Sequence, residues 1–299
     1  MIQVLRPGAW TTVQDSGRPG LERFGISPGG PVDWFAAAVA NLIAGNREDA
    51  ALLECTLEAP ALRFSEAATV AIAGGEVEGA PGWTARRLEA GATLELGRIR
   101  PGLRTYLAIG GGLGVEPVLG SRSLCQLGRF GGGFGRPLRA GDVLSIGSEI
   151  AHDSWSQPWP AAHRLPLQGP WEVRAIAGPH AGAFPDGSLR RLADTALLVT
   201  PAIDRMGMRL RAPALRLQAS EILTTGVTEG AVQVTPSGEL IALLAEHQPT
   251  GGYPVIATVI RADLPLLAQA RPGDTIHLRL CGVEEAVGAL RRLVDWLRG

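Results

Sequence analysis

The sequence predicts a mainly β protein in two domains, closed barrels or sandwiches, with few helices. Three observations carry this. Apolar runs of about five residues, bounded by glycine and proline, recur along the chain, a length that suits strands better than helices. A pattern of turn then strand also returns three times. The 299 residues include 40 glycines and 22 prolines, enough to turn the chain sharply at the strand ends.

Taken in chain order, the apolar runs at 67–75, 104–112, 172–179 and 254–260 read as strands, and the turn–strand units fall at 88–97, 138–147 and 270–280. Helices are expected at three places. The first is 31–45, with Pro31 in its opening turn, Val32, Phe35, Val39 and Leu42 or Ile43 as an apolar stripe, and Gly45 as its stop. A short one is expected from Asp263 to Gln269, capped by the aspartate. The last, 283–298, carries Glu284 and Glu285 at its positive end, Arg291, Arg292 and Arg298 toward its negative end, and Val283, Val287, Leu290, Val294 and Leu297 on one face. Between 148 and 170 periodicity is lost and Pro, Ser, His and Trp collect, which marks a linker and predicts domains at 1–160 and 161–299. The strand endings AIAGG and AIAGP, and the turns QDSGR (14–18) and DRMGMR (204–209), fall on opposite sides of that cut, as a duplication would place them.

Composition narrows the function. Hydrophobic residues are 45% of the chain and charged ones 19%, a globular balance. A net charge of -1 and a pI near 6.5 argue against nucleic acid, whose binders present basic surfaces. No stretch approaches the ~20 apolar residues of a membrane span and the start lacks a signal pattern, so a soluble cytoplasmic protein is expected. Cys55, Cys125 and Cys281 are odd in number and far apart, which suggests small buried residues rather than disulfides or a zinc site. All 28 basic residues are arginine. Without lysine the chain forms no Schiff base, completes no Walker P-loop and carries no biotinyl group, so chemistry of that kind must arrive on another chain.

The motifs point to a pocket rather than a self-sufficient catalytic centre. GGGLG (110–114) and GGGFG (131–135) match neither GxGxxG nor a P-loop and read as tight turns, with anion binding by their bare amides as the alternative. His152, His163, His180, His247 and His277 show no metal-ligand spacing, so no metal is expected; His277 alternates within a strand and reads as structural. No GxSxG elbow is present. Three clusters place polar side chains beside glycine in apolar surroundings: 11–20, with Asp15 and Arg18; 204–213, with Arg205 and Arg209; and 246–254.

Read in order, these clusters resemble the signature of the allophanate hydrolase subunit 2 family, related to biotin-dependent carboxyltransferases and to part of urea carboxylase. TTVQDxGRxG is intact at Thr11 to Gly20; Gly29, Gly30, Asp33, Ala40 and Asn41 match a turn and helix; Tyr106 to Gly111 and Gly120 to Ser123 follow. Later come Asp204 to Leu210, Gly230 to Val234, Gly251 to Pro254 and Ala262 to Gln269. Ahead of the paired glycines the family usually has Asp-Arg-Gln-Thr-Thr, where this chain reads Glu246, His247, Gln248, Pro249, Thr250.

The resemblance implies tandem cyclophilin-like β-barrels. It implies an obligate B subunit similar to allophanate hydrolase subunit 1 or a kinase inhibitor, and a LamB/YcsF-like A subunit, together cleaving 5-oxoproline to glutamate with ATP and Mg. Phosphorylation of the lactam oxygen would make its carbon electrophilic before water attacks. The implied site has Asp15, Arg18, Arg205, Arg209 and Tyr253 as catalytic residues and Asp33, Asn41, Gln233, Gln248, Gly251 and Gly252 around a lactam or urea-like substrate, with the clusters converging across the two barrels. Arginine forks suit planar anions, and Tyr and Gln can orient an amide. The alternatives are a regulatory protein that binds a kinase-inhibitor homologue, and a carboxyltransferase served by a biotin carrier on another chain.

Overall fold

The computed structural model describes residues 1–148, 152, 157–212 and 222–298. The chain divides into two compact units, one of Met1–Pro19 with Gly29–Leu167, the other of Gly20–Pro28 with Gln168–Gly299. Of the expected linker at 148–170, residues 149–151 and 153–156 lie outside the described residues, and the next strand begins at Trp171.

The first unit contains β1 (Ile2–Arg6), β2 (Trp10–Gln14), helix α1 (Trp34–Ala44), β3 (Leu52–Thr56), β4 (Ala61–Phe64), β5 (Ala68–Gly74), β6 (Thr84–Leu88), β7 (Thr93–Glu95), β8 (Arg104–Ile109) and β9 (Val143–Leu144). These strands bond as two antiparallel sheets, β7-β4-β1-β9 and β2-β3-β8-β5-β6. Period-two alternation turns one face of each sheet into a shared core: Ile2, Val4, Leu62 and Phe64 from one, Val13, Leu53, Ile72 and Leu107 from the other.

Helix α1 packs on the other face of the five-stranded sheet, against β5 and β8. Its alanines let it lie close, and Phe35, Val39 and Ile43 are buried. The helix begins later than the sequence pattern suggests. Pro31 lies outside it, and Asp33 is the cap, accepting from the Ala36 amide at 2.9 Å. Gly45 ends it in the left-handed conformation.

The second unit contains β10 (Trp171–Ala177), α2 (Ser188–Ala193), β11 (Ala196–Ile203), β12 (Gly207–Arg211), β13 (Thr225–Gly226), β14 (Ala231–Val234), β15 (Leu240–Leu243), β16 (Thr250–Gly251), β17 (Val255–Val259), α3 (Leu264–Gln269), β18 (Thr275–Leu280) and α4 (Val283–Arg298). Seven strands close a barrel in the order β10-β17-β14-β15-β12-β11-β18. The seam is the parallel pairing of β10 with β18, Trp171 opposite Ile276 through Ala175 opposite Leu280. The other barrel pairs are antiparallel.

Register fixes which residues face out. Met208, Ala242 and Val232 form one inward row, at most 1% exposed. The adjacent row, Arg209, Ile241 and Gln233, therefore points away from the barrel interior. That outer surface is not bare, because the β13–β16 ribbon covers part of it and encloses a small second core of Ala231, Leu243 and Val255 with Val227 and Ile241.

Two helix expectations change. Asp263 does not cap α3 with its side chain; the carboxylate instead accepts from Arg174 Nε at 2.9 Å, Nη2 at 2.5 Å and the Arg174 amide at 2.7 Å. A two-pronged charge-assisted bond is stronger than a single cap. Helix α4 runs as expected but buries Ala289, Leu293 and Leu297, leaving Val283 66% and Val287 41% exposed. The helix packs against the one-turn 3-10 helix Arg261–Asp263 through a face that leaves these valines outward.

Candidate functional site

A cavity of about 430 Å³ lies on the outer face of the second-unit barrel. Its floor is apolar: Ile203, Met206, Ile241 and Leu243. Polar groups enter from separate elements, Asp204 and Arg209 from the β11–β12 hairpin, Gln233 from β14, and Gln248 and Tyr253 from the chain on either side of β16. An apolar floor with a few convergent polar groups is the usual form of a small-molecule site.

Local chemistry sets each group. Asp204 Oδ1 accepts from the amides of Met206 (2.7 Å) and Gly207 (3.1 Å), which closes the hairpin turn. A Cβ at Gly207 would stand 2.9 Å from the Ala242 carbonyl oxygen, so glycine is needed for the cavity floor. Arg209 is 46% exposed, and its Nη1 donates to Glu239, which stands at the start of the next strand. Gln233 is buried, its Nε2 donating to the Tyr253 carbonyl at 3.5 Å. A Cβ at Gly251 would lie 2.6 Å from Gln233 Nε2 and 3.6 Å from Gln248 Nε2, so both amides close on one glycine. Neither Gly251, which is half-buried behind Gln233, nor the exposed Gly252 lines the cavity itself.

His247 is 2% exposed and outside the cavity lining. Its Nδ1 lies 2.7 Å from the Gln248 carbonyl, which makes Nδ1 the protonated nitrogen at neutral pH. Burial holds the imidazole below its ordinary range, against smaller opposing effects of that carbonyl and of Glu22.

Arg205 does not line the cavity. It is 4% exposed and its Nε donates to Glu246, itself 2% exposed, at 3.1 Å. Expected as a catalytic group, it is the cationic half of a buried ion pair, because a carboxylate on the neighbouring segment lies within reach and a buried charge needs its partner close.

In the first unit, the residues singled out by sequence are braces. Asp15 Oδ1 accepts from Gly17 N, Ser121 Oγ and Ser123 Oγ, and Oδ2 from Arg122 N. This set ties the 14–18 turn to the 120–123 segment. Arg18 is 3% exposed, donates to the Ser123 carbonyl at 2.5 Å, and lies 5.0 Å over the Phe130 ring. Asp33 is the helix cap. Asn41 donates to the carbonyls of Glu48 (3.2 Å) and Ala50 (2.8 Å) and accepts from Asn46 at 3.0 Å, so its amide secures the loop after α1. Behind them Glu54 Oε2 accepts from Tyr106 Oη (2.9 Å) and the Val32 amide (2.8 Å), and burial beside Glu54 and Asp33 pushes the Tyr106 phenol well up.

The glycine clusters are turns. A Cβ at Gly111 would stand 2.3 Å from the Gly147 carbonyl and one at Gly131 2.2 Å from the Ser123 carbonyl. The amides of Gly110, Gly111, Gly112, Gly114, Gly132 and Gly135 donate within the protein.

Glu239, in the Thr235–Glu239 turn, carries no signal in the sequence. Only the strand register, which sets its side chain beside Arg209, reveals it. The floor residues Ile203, Met206 and Leu243 are equally unmarked, since they look like any strand residues.

The chain is thus a β protein that joins a two-sheet unit to a closed barrel, with a cavity of small-molecule size on the barrel's outer face. The family model of the carboxyltransferase domain, subdomain A and B, matches residues 24–280, and the chain belongs to that family. It is 38% identical over 296 residues to the 5-oxoprolinase C subunit of Escherichia coli, covering 97% of this chain and 94% of that protein. The 5-oxoprolinase C subunit of Haemophilus influenzae is 34% identical, with 99% of each covered. Among solved structures, the urea amidolyase of K. lactis superposes with a TM-score of 0.91 at 29% identity, over 99% of this chain and 20% of that one.

Proposed function

We propose that this chain is the C subunit of an ATP-dependent 5-oxoprolinase, working in the cytoplasm with A and B subunits to open the 5-oxoproline lactam to glutamate. The observation that carries the reading is the cavity beside Gly251, where two glutamine amides, a tyrosine and an arginine meet over an apolar floor. A lactam ring matches the floor, its amide matches the glutamines, and its carboxylate matches Arg209. Likeness along almost the full length of two 5-oxoprolinase C subunits supports it.

Within the site, Arg209 and Tyr253 orient the substrate, Gln233 and Gln248 read its amide, and Gly251 admits them. Arg205, paired with Glu246 just ahead of Gln248, acts as a positioning residue, and Asp15, Arg18, Asp33 and Asn41 brace the first unit. ATP with Mg supplies activation of the amide in the assembled enzyme. This chain has no lysine and no P-loop, which supports assigning nucleotide binding to a partner subunit.

Carboxyl transfer is the second reading, favoured by the urea amidolyase superposition. It requires a biotinyl carrier elsewhere, since this chain has no lysine. The test is reconstitution of the three subunits, with glutamate release measured from 5-oxoproline and ATP. Release that depends on this chain is expected; equal release without it would overturn the proposal, and carboxyl exchange with a biotinylated carrier would favour the second reading.

A further inference from the structure

We infer that Glu239 sets the charge selectivity of the second-unit cavity, resting on the reading of that cavity as a lactam site. Arg209 lines the cavity, and its Nη1 is tied to Glu239, which stands outside the lining, so the positive charge at that end of the site is compensated from beside it rather than left alone. Glu239 is built in rather than incidental. The turn fixes its backbone, because its amide donates to Thr235 Oγ1 at 3.0 Å while its carbonyl accepts from the Thr235 amide at 2.9 Å. Thr235 Oγ1 in turn lies 2.9 Å from Ser237 Oγ, and Gly238 takes the left-handed conformation that lets the turn close.

The consequence is a moderated anion site. An unpaired Arg209 would draw any small anion to the mouth; paired, it holds a carboxylate only when the rest of the ligand engages the glutamines. The pair is exposed enough that its contribution to folding is small. Its contribution to ligand choice is a Coulomb effect, and at about 6 Å in water-like surroundings one unit charge alters anion affinity about threefold, more where water is excluded.

Glu239→Gln tests this, since glutamine keeps the shape and an acceptor for Arg209 but removes the charge. Dissociation constants are measured by calorimetry on the assembled complex with two probes of one ring, 5-oxoproline and neutral 2-pyrrolidinone. Glu239→Gln is expected to tighten 5-oxoproline about threefold at low salt and to leave 2-pyrrolidinone unchanged. The gain should fade as salt rises through about 0.5 M, where the Debye length falls below the charge separation. Structural damage, which would overturn the inference, would weaken both probes. Wild-type binding of both probes with no selective tightening in the variant overturns this inference alone. Failure of the wild type to bind either probe overturns it together with the lactam reading.

Discussion

Gly251 and Gln233 constrain each other across the cavity wall, since a Cβ on the first would stand 2.6 Å from Nε2 of the second. Contacts below about 3 Å force something to move, and the movable partner is the glutamine amide. Gly251→Ala is therefore expected to displace Gln233 and weaken substrate binding at least about tenfold, while overpacking costs about 1–3 kcal/mol of stability. Calorimetric ligand titration and denaturant unfolding of the same variant check both halves.

Arg205 and Glu246 form a buried pair at 3.1 Å, with side chains 4% and 2% exposed. Arg205→Ala leaves a carboxylate buried without that arginine, a change that costs about 3–5 kcal/mol. The sequence pattern alone suggests loss of activity with an unchanged melting temperature. The structure predicts instead that activity and melting temperature fall together, and a thermal melt decides between these.

Tyr253 behaves oppositely. Its side chain is 42% exposed at the cavity, so Tyr253→Phe is expected to change stability by less than about 0.5 kcal/mol. Removal of the hydroxyl is expected to lower kcat/KM of the assembled enzyme about tenfold or more, consistent with one lost hydrogen bond of about 1.5 kcal/mol to the reacting ligand. Steady-state rates on the folded variant measure it.

His247 makes stability depend on pH. Its folded-state pKa is below the unfolded value near 6.5, mainly through burial, so the unfolded chain takes up the proton first. Stability from this group is present above the unfolded pKa and falls as pH drops below it. Wild type is expected to lose stability between about pH 7.5 and pH 5 by more than His247→Asn does, an amide that can still donate to the Gln248 carbonyl. Urea midpoints at the two pH values show the difference.

Much of this site is legible in the sequence, but not its division of labour. Arg209, Gln248 and Tyr253 stand out because polar side chains beside glycine in apolar surroundings are unusual, Gln233 enters only through the family resemblance, and the cavity gathers all four. Arg205 stands out for the same reason and yet sits in a buried pair, because spacing along a turn does not say which arginine faces the partner strand. Asp15 is conspicuous for being polar beside glycine and Asn41 only through the family resemblance, and their hydrogen bonds reach backbone at 122 and at 48–50. Buried polar groups need partners whether or not they bind a ligand, and pattern alone does not separate the two.

The β class, the glycine turns, the helix ends at Gly45 and Arg298 and the absence of lysine chemistry all follow from local rules: period-two alternation, left-handed glycines and side-chain inventory. The remainder comes from pairing over long range. Closure of the barrel depends on Trp171 meeting Ile276, and the outward position of Arg209 depends on its register with Ile241. Such pairings join residues far apart in the chain, and a shift of one residue would turn every side chain to the other face, so only the folded ladder fixes which charges look into the cavity.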